Sequence, residues 1–386
     1  MPAKVKSLFL ISVISIFPTF LIWLPFFFRL KTLWTIPLPQ DGMATIVANY
    51  DGPLFLVVAK TFYNKALITA NYSFPLPTEY YAAHFPLFPL LIKVFAGLLG
   101  FPYAMLTITL VSSVLALYFF YRFIRRYFKK DQALWLTFVF SILPARWLIV
   151  RSVGSAEPLF IAAIIASIYY FQKKKYWRAG IWGAIAQLTK SPGIILFLAY
   201  SAAVVAPHFK KAATMSFRRW LKLLHLEKVY PLALIPLSLL AVFILYQFTF
   251  NDFLAYFHSG DNIHLFFPPF QIFNYSAPWV GTFWLEEVIF VYLFGILGLL
   301  RLIKQERQVL AWFVGLFFIS ILFVSHRDII RYSLPIVPFL LTAFAETIVK
   351  KEFKIVVALL AIPIYLFSLA YISQNVMPIS DWAPFL

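Results

Sequence analysis

Two neighbouring stretches, NYDGPLF at 49–55 and AHFPLFPLL at 83–91, decide how the rest of the chain is read. The first sets a carboxylate, Asp51, beside Gly52 and Pro53 at the head of an apolar run. The second carries Pro86 and Pro89, with Lys93 just beyond, in a segment too short and too interrupted for an ordinary span, which needs about 20 mostly apolar residues. This predicts an interfacial or re-entrant helix over 84–100 and leaves Asp51 at a membrane face. An acid held next to lipid is costly and points to function.

Working outward, 62% of the 386 residues are hydrophobic and only 12% charged. The mean hydropathy is +0.84. Successive apolar runs joined by short polar links predict an all-α polytopic membrane protein forming a single integral membrane domain over 1–386. The runs do not alternate apolar and polar residues, which excludes a barrel. With no cysteine there is no disulfide framework, thiol nucleophile or Cys metal site.

The net charge of +18 would suit nucleic acid if it were spread over one face. Instead most of the Lys and Arg residues cluster between apolar runs: Lys4 and Lys6, then 122–130, 172–178, 208–228, 301–307 and 350–354. That is the positive-inside pattern, so nucleic acid is not expected as a partner and membrane lipids are. With a cytoplasmic N-terminus, a first helix over about 7–28 leads out and the run over about 103–121 leads back in. The first external loop then covers about 29–102. Inside-type charges at both ends of 179–206 predict two half-spans meeting at an outward-facing Lys190. Further spans are expected near 133–150, 158–171, 230–248, 285–303, 308–325, 329–347 and 355–373. The total is about 11 transmembrane helices, with a long external loop over about 249–287 rich in aromatics such as Phe266, Phe267, Trp279 and Trp284.

On this topology the outer face collects Asp51, Glu79, His84, Arg151, Glu157, Lys190, Asp252, His258, Asp261, His264 and the group Arg327, Asp328 and Arg331. Each has a plain structural alternative. Asp51-Gly52-Pro53 is an ordinary turn signal, Glu157 suits a helix N-terminus, Lys190 suits a snorkelling position, and the 327–331 charges suit a surface ion pair. His258 and His264 lack metal-ligand spacing, and no metal or cofactor is expected. No phosphate-cradling glycine loop or nucleophile elbow is present.

Taken in order, YDGPLF at 50–55, AHFPLFPLL at 83–91, GSAEPLF at 154–160, TKSPG at 189–193 and RYSLPIVPF at 331–339 resemble the PIG-V-like branch of GT-C membrane glycosyltransferases, relatives of the GPI mannosyltransferases. Tyr50 stands where that family usually has Trp, and Gly52 where its eukaryotic members have serine. The resemblance implies a GT-C-like helical bundle. It also implies transfer of a sugar, mannose in the family, from a polyprenyl-phosphate donor to a glycan or lipid acceptor with inversion. Asp51 would be the catalytic base, Lys190, Arg331 and Arg327 would bind the donor phosphate, and Tyr50, Glu79, His84 and Glu157 would position hydroxyls. The site would face the extracytoplasmic side of a cell membrane in a bacterium or of the endoplasmic reticulum in a eukaryote.

The chemistry agrees with that implication on independent grounds. A lipid-linked sugar phosphate keeps its tail in the bilayer and its phosphate at the surface, so an enzyme acting on it needs an acid, a cation and an apolar groove at one interface. The rival reading is a multi-pass transporter or lipid flippase, since an intramembrane lysine and broken spans also mark substrate pathways. A non-catalytic scaffold is a second rival.

Overall fold

Ser15, Thr19 and Trp23 recur at intervals of four and therefore share one face of a helix. In the computed structural model, which describes residues 3–209, 216–260, 264–274, 276 and 283–386, they lie on the long first helix, Ala3–Phe27. Their partners are in the 151–152 turn. Trp23 donates through Nε1 to the Ser152 carbonyl at 2.6 Å, and the Ser152 and Thr19 hydroxyls lie 3.4 Å apart. The fully buried Arg151 donates to the Ser15 hydroxyl at 3.1 Å and to the carbonyls of Ser15 and Ser141. A buried guanidinium is costly unless its N–H groups find acceptors, and these supply several. Arg151 is therefore a staple that pins the first helix to Lys130–Ile142.

The chain divides into two compact units, Met1–Ala162 with Ala241–Ile263 and Glu346–Leu386, and Ala163–Leu240 with His264–Ala345. In the first unit, Ala3–Phe27 packs on Phe101–Ile124 and Lys130–Ile142, and the short Ala145–Val150 helix packs on Lys351–Gln374. The segment that follows the first helix makes a small hairpin, Thr32–Leu33 pairing antiparallel with Ile36–Pro37. It then leads to the helix Gly52–Thr61, which packs on Leu87–Leu99.

The end of the Lys351–Gln374 helix is tied back to the residues just before Asp51. Buried Asn49 donates to the Ile372 carbonyl at 2.8 Å and accepts from the Asn375 amide at 3.2 Å. The Met377 N–H donates to the Ala48 carbonyl at 2.8 Å.

In the second unit, Ile194–Val205 and Glu287–Lys304 both pack on Gln308–Leu322, and Glu287–Lys304 also packs on Val337–Ala343.

The expected bundle of about 11 crossings does not form. Among the described residues five helices are long and apolar enough to cross a membrane: Ser7–Phe27, Phe101–Ile124, Ser191–His208, Leu226–Phe250 and Lys351–Gln374. The reason is interruption. The run at 133–150 breaks at Pro144 into helices of 13 and 6 residues, because proline removes a donor and clashes with the preceding turn. The run at 329–347 stays helical over Ile329–Ala343, tightened at Leu334–Ile336 where Pro335 sits, and ends short of a span. Glu157–Gln172 and Gln308–Leu322 reach only 16 and 15 residues, and Glu287–Lys304 carries Glu287, Arg301 and Lys304. The GT-C-like bundle is overturned with the crossing number. The break at Lys190 is present, but its second arm is the full-length candidate span Ser191–His208 instead of a half-span.

Leu87–Leu99 has 13 residues, shorter than a span requires. It buries Phe88, Ile92 and Ala96 against its neighbours while Val94, Phe95 and Leu98 stay exposed and apolar. In the long 249–287 segment, residues 261–263, 275 and 277–282, with Asp261 and Trp279, lie outside the described residues.

Candidate functional site

Tyr50 takes a left-handed backbone, φ +49°, which turns the chain sharply before Asp51 at the N-cap of Gly52–Thr61. An aspartate at this position commonly caps the helix by accepting from its first N–H groups. Asp51 makes no such side-chain bond and is half-buried. The turn reading therefore accounts for its backbone, and capping is not the role of its carboxylate.

Tyr50 is held from two directions. Its hydroxyl accepts from Arg146 Nη1 at 3.2 Å, and its ring centroid lies 5.7 Å from that of Tyr371. The Arg146 guanidinium sits 3.7 Å from the centre of the Tyr371 ring. A cation so stacked is held in place by the ring quadrupole. Arg146, one residue from Asp51 through Tyr50, is hidden in the sequence because 133–150 reads as one continuous span. The available signal is Pro144, which starts the short helix that carries Arg146.

The GSAEPLF stretch closes on the same place. A Cβ at Gly52 would overlap the Val47 carbonyl and would stand 3.4 Å from the Met105 methyl; a Cβ at Gly154 would overlap that same methyl. Gly154 is therefore required for close approach to Met105, Gly52 for close approach to the Val47 carbonyl, and both motifs border that one side chain of the Phe101–Ile124 helix. Thr109, a turn further along, accepts from the Ser155 N–H at 3.2 Å and donates to its carbonyl at 3.1 Å. Glu157 is buried at the start of its helix, where Ser155 donates to its carboxylate and accepts from its N–H at 3.3 Å. Its position matches the helix-start alternative, and it stands in the same neighbourhood as Asp51.

His84 joins through Phe55, one turn along the helix from Asp51. The two rings meet edge to face at 5.0 Å. His84 is buried, and its carbonyl accepts from the Tyr63 hydroxyl at 2.6 Å. Burial pushes the Tyr63 phenol well above its ordinary range, which keeps it a donor.

Glu79 is elsewhere. It pairs with Lys65 at 2.7 Å, beyond the far end of Gly52–Thr61, a helix whose ten residues rise about 15 Å. The hydrogen bond from Lys65 is the main cause holding the Glu79 carboxyl below its ordinary value.

Tyr50, Asp51, His84, Glu157 and Glu79 belong to the first unit, and Lys190, Arg327 and Arg331 to the second. Lys190 is half-buried in an extended conformation, φ −152° and ψ 143°, where Tyr176–Thr189 gives way to Ser191–Gly193. The turn is closed by the Gly193 N–H donating to the Lys190 carbonyl at 3.1 Å. Arg327 is exposed. Arg331 lies in Ile329–Ser333, its N–H donating to the carbonyl of buried Asp328 at 2.9 Å. The neighbouring His326 accepts from the Asp328 N–H at 3.0 Å and lies 4.4 Å from the His264 ring. His258, by contrast, bonds Asp252 at 2.6 Å. Among the described residues no group of three His, Cys, Asp or Glu side chains is placed to hold a metal ion.

The fold is that of a helical membrane protein, and its first unit gathers an acid, a stacked guanidinium and aromatic rings at one helix start. No model of a known protein family matches the chain, and no curated protein matches it either.

Proposed function

We propose that this chain is a membrane glycosyltransferase that moves a sugar from a polyprenyl-phosphate carrier to a hydroxyl of a glycan or lipid acceptor. The observation that carries the reading is the meeting of two distant motifs, Tyr50-Asp51-Gly52 and Gly154-Ser155-Ala156-Glu157, about Met105, with Arg146 stacked beside them. The resemblance of those motifs to PIG-V-like glycosyltransferases supports the same activity and favours mannose.

In this reading the acceptor oxygen attacks the anomeric carbon as its proton passes to Asp51, and the carbon–oxygen bond to phosphate breaks on the opposite side. The bonding pair leaves with the polyprenyl phosphate, and the anomeric centre inverts. The departing phosphate calls for a fixed cation to favour the charge that develops, the role the resemblance gives to Lys190, Arg331 and Arg327. Tyr50, His84 and Glu157 position hydroxyls, while Glu79 is held in its pair with Lys65. The N-terminus is cytoplasmic and the site extracytoplasmic, at the cell membrane in a bacterium or the endoplasmic reticulum in a eukaryote.

The test is transfer from radiolabelled polyprenyl-phosphate mannose in membranes holding the full chain. Asp51→Asn, which keeps the shape and removes the base, is expected to lower kcat by at least about a hundredfold. Undiminished transfer in that variant removes Asp51 as base, and no transfer by the unaltered chain to any acceptor removes the activity.

A further inference from the structure

A cavity of about 1230 Å³ in the second unit has two kinds of wall. One is cationic, with Lys174, Lys175, Arg178 and Lys228. The other is apolar and comes from the end of the candidate span Ser191–His208, with Ala203, Val204 and Pro207. Val229, in the first turn of the candidate span Leu226–Phe250, also borders it. The cavity thus lies where two candidate spans end, and the ends of membrane spans stand at the level of lipid headgroups.

Its positive charge is only partly met within the chain: Arg178 lies 5.5 Å from the centre of the Tyr170 ring, and the acid Glu227 stands beside Lys228. Among the described residues none of those four cationic side chains forms an ion pair, and Glu227, next to Lys228, bonds His225 at 3.1 Å. The 14-residue helix Tyr176–Thr189 starts here with no acid in its first turn and no side-chain cap. Its free N–H groups add to the attraction for an anion. The His208 Nδ1, buried at the cavity edge, has no hydrogen-bond partner among the described residues.

We propose that this cavity binds an anionic phospholipid, with the headgroup phosphate against Lys175, Arg178 and Lys228 and an acyl chain along Ala203, Val204 and Pro207. The apolar wall selects a lipid over a soluble phosphate compound, since only a lipid has a chain to lay against it. The site is independent of the transferase reading.

The full chain, purified in detergent, is offered phosphatidylglycerol and phosphatidylcholine at equal concentration, and retained lipid is counted by native mass spectrometry. Phosphatidylglycerol is expected to be retained over phosphatidylcholine by at least about tenfold. Combined Lys175→Gln, Arg178→Gln and Lys228→Gln should bring that preference close to one. Ala203→Trp, which sets a bulky ring on the apolar wall and leaves the charges, should lower phosphatidylglycerol retention as well. If the charge variant fails to elute as a folded species, Arg178→Gln alone and Ala203→Trp carry the test. The proposal is overturned if these variants retain the lipid as the unaltered chain does. It is equally overturned if Arg125→Gln, Arg126→Gln and Lys129→Gln together abolish the preference, which would mean diffuse attraction, or if millimolar inorganic phosphate displaces the lipid completely.

Discussion

The guanidinium of Arg146 lies 3.7 Å from the centre of the Tyr371 ring, although the two residues are set on a short helix and a long one far apart in the chain. The contact fixes the cation over a ring whose neighbour is Tyr50, and so links the end of Lys351–Gln374 to the start of Gly52–Thr61. A half-buried cation on an aromatic face contributes about 1–2 kcal/mol. Arg146→Ala and Tyr371→Leu are each expected to lower stability by that order. The double variant should cost about 1 kcal/mol less than the sum, since the contact is lost only once. Arg146→Lys should recover little, because an ammonium lacks the planar face that stacks. Strictly additive thermal or denaturant stabilities would exclude the contact.

Gly154 is expected to behave differently from Gly52. A methyl at Gly154 has the Met105 side chain as its nearest contact, whereas one at Gly52 meets the Val47 carbonyl, which is backbone. Gly154→Ala should therefore cost about 1–3 kcal/mol by overpacking, and Met105→Ala should relieve part of that cost in the double variant. No side-chain truncation should relieve Gly52→Ala. Equal rescue at both positions in thermal unfolding would contradict the geometry.

Removing the Arg151 staple should be among the most damaging single changes. Arg151→Leu leaves the Ser15 and Ser141 carbonyls without their donor in the interior, a loss of about 3 kcal/mol. Ser15→Ala removes one hydroxyl contact and keeps the carbonyl acceptor, so it should cost about 1 kcal/mol or less. A reversed order of melting temperatures would show that the first helix is held by something else.

The Lys65–Glu79 pair gives a pH dependence of known sign. The Lys65 hydrogen bond holds the Glu79 carboxyl below its ordinary value of 4.5. The pair thus contributes stability above pH 4.5, and that contribution fades as pH falls from there through the lowered value. Both side chains are substantially exposed, 41% and 36%, so the amount is at most about 1 kcal/mol. Lys65→Met should flatten the acid side of the stability–pH curve in that window and leave pH 7 stability changed by no more than this. A larger change at neutral pH would mean that Lys65 has a second task.

Much of the site is legible in the sequence because local chemistry writes it. Asp51-Gly52-Pro53 announces a turn and a helix start, and Thr189-Lys190-Ser191-Pro192 announces the break at Lys190. The crossing number is not legible in the same way. Hydropathy registers that 133–150 and 329–347 are apolar, but whether the first continues as one helix depends on Pro144, and the second, tightened at Pro335, ends at Ala343 short of a span. By pattern alone those prolines look as tolerable inside a span as Pro18 and Pro25 are inside the first helix. Arg146 is hidden by the same ambiguity. Glu79 looks like its fellow outer-face acids until Lys65 takes it up, a pairing across a loop that spacing alone does not encode.

The hydrogen bond from Asn49 to Ile372 spans 323 positions. At ribosomal speeds of about 5–20 residues per second, roughly 15 to 65 s separate the synthesis of donor and acceptor. Throughout that interval the amide beside Tyr50 and Asp51 lacks its permanent acceptor, so water, the insertion machinery or a transient neighbour must serve it. The catalytic candidate of the first loop is thus among the last features to mature, and a ribosome stalled before the final helix releases a chain that is inserted but unfinished at its centre.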